Sequence, residues 1–99
     1  MPQFTFRSTI IHWRGPSPFF FAPIPAEHTD AIRKASKLVS YGWGVIPVEA
    51  VVGGTRFTTS LFPKDEIYLL PLKDKVRKAA GITAGDAIDV EMSLRPKSG

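Results

Sequence analysis

The chain of 99 residues contains no cysteine. That excludes a disulfide framework, thiolate catalysis and the cysteine-ligated zinc sites. Histidine is scarce: His12 and His28 fall on different segments and neither has a third ligand pattern near it, so no metal site is expected. No apolar run approaches the ~20 residues of a membrane span. The start, Met1-Pro2-Gln3-Phe4, has no basic stretch ahead of an apolar one, so no secretory leader is expected. Gly-x-Ser-x-Gly, Gly-x-Gly-x-x-Gly and Walker-type loops are all missing, which removes the signals of the common hydrolases and of nucleotide cofactors. No catalytic residue and no cofactor are therefore assigned. The lack of cysteine fits a reducing compartment, and a cytoplasmic location is the expectation.

What remains describes a small soluble domain. The apolar fraction is 43% and the charged fraction 22%, which argues against disorder. A chain of this size buries roughly two thirds of its unfolded surface around a single core. Residues 1–94 are read as one domain and 95–99 as a frayed tail. The net charge is +4, with thirteen Lys and Arg interleaved among nine acids and no block of five like charges. Such a balance reads first as a solvated surface and second as an anion or nucleic-acid face.

Phe4, Phe6, Ser8, Ile10 and His12 alternate with Thr5, Arg7, Thr9, Ile11 and Trp13, a period of two that predicts one strand. Arg14-Gly15-Pro16-Ser17-Pro18 is a turn, and Phe19 to Ala22 returns as a second strand. Phe19 and Phe21 share one face and Phe20 takes the other, so this strand requires cover on both sides. From Ala26 or Thr29 to about Val39 the spacing becomes helical, with His28, Ile32, Ala35 and Val39 on one stripe, Ala31 and Leu38 beside it, and Thr29 as the expected N-cap.

Val45 to Val52, Gly53-Gly54 and Thr55 to Phe62 form the clearest hairpin, because a two-residue Gly-Gly connection suits a type I′ turn. Pairing Val52 with Thr55 makes Glu49 and Arg56 diagonal neighbours. Pro63 to Glu66 is a polar turn and Ile67 to Pro71 a short strand. Leu72, Val76 and Ala80 mark a helix closed by Gly81. A last strand runs from Ala87 to Leu94. Six strands and two helices favour a small, mainly β architecture: a six-stranded, closed or nearly closed β-barrel, with the first helix outside and the second plugging an end.

Several segments together resemble a known family. Pro71-Leu72-Lys73, Val76-Arg77-Lys78-Ala79-Ala80-Gly81 and Gly85-Asp86-Ala87-Ile88-Asp89-Val90 are similar to the carboxyl half of DUF1905, as is Thr55 to Pro63. Trp13-Arg14-Gly15, Phe19-Phe20-Phe21, Pro25 and Tyr41-Gly42-Trp43-Gly44 extend the resemblance over nearly the whole chain. It implies a small bacterial or archaeal β-barrel domain and, by the family's definition, no established activity. The helix, Gly-Asp and alternating strand also resemble, more faintly, the end of AbrB-like DNA-binding regulators.

The function expected is therefore that of a non-catalytic small-ligand or protein binding module. Trp13, Tyr41 and Trp43 cluster near Gly and Pro turns and, with Arg77, form the candidate ligand contacts for a small anionic or aromatic ligand. The same aromatics read first as caps sealing a barrel end and second as a ligand cleft. Arg77 has a second reading, as an ion-pair partner of Asp86 or Asp89. Arg33, Lys34, Lys37, Lys73, Lys75 and Lys78, with Arg77, are the candidates for the alternative, a nucleic-acid surface. An enzyme of unrecognised type would use Arg77 as anion clamp and a strand carboxylate as base. The oligomeric expectation is a monomer or a homodimer.

Overall fold

The computed structural model describes residues 3–14, 18–39 and 46–95. Among the described residues seven strands and two α-helices form: β1 (Gln3–Thr9), β2 (Ile11–Arg14), β3 (Pro18–Pro23), α1 (Thr29–Val39), β4 (Ile46–Val52), β5 (Thr55–Lys64), β6 (Ile67–Pro71), α2 (Asp74–Ala80) and β7 (Ala87–Leu94). They make one antiparallel sheet in the order β1-β7-β4-β5-β6-β3-β2. The sheet is an open half-barrel.

Two expectations are corrected here. There are seven strands rather than six, because the first period-two run breaks at Ile10. The N–H of Ile10 donates to the Asp86 carbonyl and its own carbonyl accepts from Gly85, both at 2.9 Å, so the backbone leaves the β7 ladder there. Phe4, Phe6, Ser8 and Ile10 point into the core, whereas all four residues of β2 are exposed. The second correction follows from the first. β1 and β2 are consecutive in the chain yet stand at opposite ends of the sheet, and no ladder joins β1 to β3. A side-chain bond spans the seam instead: Ser8 Oγ donates to the Pro23 carbonyl at 2.6 Å. The barrel is therefore open.

The core fills the concave side. Val48, Val52, Val90, Met92 and Leu94 are almost fully buried, and Ile32 and Ala35 of α1 join the same cluster. The first helix thus packs on the core rather than outside the barrel as expected. That choice leaves the outer face of β3 without a helix over it. Helix α1 continues from a single 3-10 turn, Ala26–His28. Thr29 is not the N-cap expected of it, because its backbone is already helical (φ −57°, ψ −49°) and its buried Oγ1 has no partner. Ser36 is buried and donates to the Arg33 carbonyl at 2.7 Å.

The hairpin of β4 and β5 has the expected register, Val52 opposite Thr55, with Gly53 and Gly54 at φ +55° and +78°. Arg56 pairs with Glu49 at 2.9 Å, as the diagonal placement predicts. Helix α2 closes on Gly81 in the left-handed conformation (φ 68°, ψ 39°), and the Ile82 N–H donates to the Arg77 carbonyl at 3.0 Å. This is the Schellman closure that the Gly signals. The polar turn expected over Pro63 to Glu66 is narrower: Pro63 and Lys64 belong to β5, and Asp65 and Glu66, both with positive φ, join it to β6. At the carboxyl end, Arg95, assigned to the tail, donates its N–H to the Pro47 carbonyl at 2.8 Å. Residues 96–99 lie outside the described set.

Candidate functional site: an aromatic cleft on the outer face

Strands β2, β3, β6 and the end of β5 lie side by side, and their pairing sets which side chains share the outer face. Trp13 lies opposite Phe19, Ile11 opposite Phe21, Phe21 opposite Pro71 and Phe62 opposite Leu69. Side chains alternate between faces along a strand, so Trp13, Phe19, Phe21, Leu69, Pro71, Phe62 and Lys64 all project outward. Together they line a cleft of about 380 Å³, within the range of small-molecule sites, roughly 300–1,000 Å³.

The cleft is unusual for what it exposes. Trp13 is 41% exposed, and Phe19 and Phe62 are each 52% exposed. The rings run in sequence, with Phe19 to Phe21 at 6.0 Å and Phe21 to Phe62 at 5.8 Å between centroids, the separation of favourable tilted aromatic pairs. Phe21 and Leu69 are buried at the floor. Lys64, half-buried, places its Nζ 3.6 Å from the centroid of the Trp13 ring. Trp13 and Lys64 belong to the two outermost strands of this group, with β3 and β6 between them. Their contact therefore crosses three inter-strand steps of about 4.8 Å each and bridges the cleft.

Arg77 is not part of this cleft. It sits on the opposite face of β3, with its guanidinium carbon 3.6 Å from the centroid of Phe20. Its Nε donates to the Leu72 carbonyl at 3.2 Å and its terminal nitrogen pairs with Asp74. His12 stacks on Phe20 at 4.5 Å with an interplanar angle of 11°. Arg77 is thus already engaged by a carboxylate, a carbonyl and a ring. The expected pairing with Asp86 or Asp89 is replaced by Asp74, which lies one helical step away at i, i+3. Asp86 instead accepts the Thr83 N–H at 2.8 Å and so stabilises the turn before β7. Asp89 pairs with Arg7 at 3.0 Å on an exposed surface.

The other expected residues fall elsewhere. Tyr41 and Trp43 lie outside the described residues. Arg33, Lys34 and Lys37 are exposed on α1, with Arg33 3.6 Å from Asp30. Lys73, Lys75 and Lys78 are exposed on and beside α2. Arg33 lines a depression with Pro63 to Tyr68, whereas Lys73 lines another with Phe19, Phe20 and Arg77. His28 packs edge-on against Phe4 at 5.6 Å. Among the described residues, no three His, Asp or Glu side chains gather as a cation site would require.

Sequence reasoning placed Trp13 at the site but missed Phe19, Phe21, Phe62 and Lys64. Two signals were available. Phe19 and Phe21 required cover that no segment clearly supplies. Phe62 also falls on the polar side of its strand, in step with Arg56, Thr58 and Ser60.

Fold and cleft together define a small open half-barrel that carries an aromatic groove on its outer face. The chain belongs to the DUF1905 family, a domain of unknown function, whose profile matches residues 6–92. No curated protein matches it. No helix among the described residues is long and apolar enough to cross a membrane.

Proposed function

We propose that this protein is a non-catalytic binding module whose ligand is a small, partly apolar molecule held in the cleft between Trp13 and Phe62. The observation that carries this reading is three large aromatic side chains left 41–52% exposed around one cavity of about 380 Å³. Leaving that apolar area in water forgoes burial worth about 25 cal/mol per Å², an arrangement that favours an occupant. Arg77, the residue best suited to an anion clamp, is committed to Asp74 and Phe20, which weakens the enzyme alternative. The cytoplasm of a bacterium is the proposed setting, with mass in solution to decide monomer against dimer.

Tryptophan fluorescence titrated with a fragment library tests the reading. Binding in the cleft changes the Trp13 signal in the wild type, and Trp13→Phe abolishes that change while Trp43 still emits. A flat response across the library refutes it. A second reading, nucleic-acid binding, is supported by the exposure of Lys34, Lys37, Lys73, Lys75 and Lys78. Phosphate contacts make such binding steeply salt-dependent, and a gel shift at low salt with no retarded band removes it.

A further inference from the structure

The walls of the cleft are apolar and, among the described residues, its one charged group is Lys64. We propose that the cleft takes a small amphipathic monoanion, an aromatic or branched carboxylate. Its apolar part lies against Phe19, Phe21 and Phe62, and its carboxylate pairs with Lys64. This rests on the cleft being a ligand site, as proposed above.

The state of Lys64 argues for the charge. Among the described residues four ion pairs form, Arg7–Asp89, Arg33–Asp30, Arg56–Glu49 and Arg77–Asp74, and none of them involves Lys64. Asp65 and Glu66 follow it in the chain, yet neither carboxylate makes an ion pair with it. The ammonium is half-buried and its close partner is the face of Trp13. A ring face is a weaker partner for a cation than a carboxylate, which offers full charge and hydrogen-bond acceptors. A ligand anion therefore finds an unpaired, partly desolvated ammonium beside an apolar surface.

Other charge types fare worse in the same place. A cationic ligand would have to displace an ammonium already over the best ring, and no acid in the walls would receive it. A neutral ligand fills the apolar space but leaves Lys64 as it was. The net charge of +4 also favours approach of an anion. Entry of the ligand opens the Trp13–Lys64 bridge, so the Trp13 emission reports it directly.

The test uses three ligands of matched shape: 3-phenylpropionate, 3-phenylpropanamide and 3-phenylpropylamine, titrated against Trp13 fluorescence in wild type, Lys64→Met and Lys64→Gln. The acid is expected to bind about tenfold tighter than the amide, the step that one charge-assisted contact supplies, with the amine weakest. Both variants should lose the acid's advantage while keeping the amide's affinity, and raising salt should shrink the advantage in the wild type. The salt series needs no variant, so it stands even if a substitution impairs folding. Equal binding of acid and amide overturns the monoanion while leaving the cleft as a ligand site. Tightest binding of the amine overturns it in favour of a cation cage. No binding by any of the three overturns the cleft and the monoanion together.

Discussion

Glu66→Gly should stabilise the protein, although it removes a side chain. Asp65 and Glu66 form the two-residue connection between Lys64 and Ile67, with φ of +49° and +68°. Holding a residue with a Cβ in the left-handed region costs about 1–2 kcal/mol. Asp tolerates that region better than Glu because its short side chain bonds locally, and Asp-Gly is a favoured pair for a type I′ turn. The strain therefore concentrates at Glu66. Glycine removes it but loses roughly 0.5–1 kcal/mol more backbone entropy on folding. The net gain is about 0.5–1 kcal/mol, which for a domain of this size raises Tm by roughly 2–8 °C. Glu66 is exposed and takes part in no ion pair among the described residues, so little else is lost. Thermal and urea unfolding followed by circular dichroism at 0.15 M salt measure the effect, with the urea midpoint rising at unchanged slope. Glu66→Ala is the control, because it removes the charge but keeps the Cβ and should gain nothing. A glycine variant that melts no higher than wild type, or an alanine variant that matches it, would refute the reasoning.

The converse holds at the other tight hairpin. A Cβ on Gly53 would meet Ala80 at 3.5 Å, an ordinary contact, so Gly53→Val should cost about 1–2 kcal/mol from backbone conformation alone; an unchanged melting temperature would count against the register of β4 and β5. At the seam, Ser8→Ala removes the donor to the Pro23 carbonyl and should cost about 1 kcal/mol, read from the urea midpoint, with no loss expected if the bond contributes nothing.

Local chemistry was legible in the sequence, and long-range placement was not. Gly53-Gly54 fixed the central hairpin because few other residue pairs accept positive φ twice. Gly81 ended α2 for the same reason. Ile88, Val90, Met92 and Leu94 declared an inward face by alternation alone. The break at Ile10 was hidden because Phe4 through Trp13 keeps its period of two while the backbone turns, and the bonds that turn it come from Gly85 and Asp86, far along the chain. The strain at Asp65-Glu66 was hidden because neither residue advertises a left-handed turn. For the site, Trp13 was visible as an aromatic beside a turn. Its true neighbours, Phe62 and Lys64, arrive through the β3–β6 and β5–β6 ladders, which no local pattern encodes. Arg77 looked available because its partners, Asp74 and Phe20, compete with Asp86 and Asp89 on equal terms until the fold is known.

The pairing of β1 with β7 also bears on how the protein assembles. Gln3 lies opposite Ser93, so this ladder closes a loop that spans almost the whole chain, and β4 draws one of its two partners from the same late strand. Such distant pairings carry a high loop-closure cost and slow folding. The hairpin of β4 and β5 is a local pairing and closes without β7. Until β7 docks, one side of β4 and the whole of β1 are unpaired edges, open to the strands of neighbouring unfolded chains. The rate at which β7 docks therefore sets how long that hazard lasts.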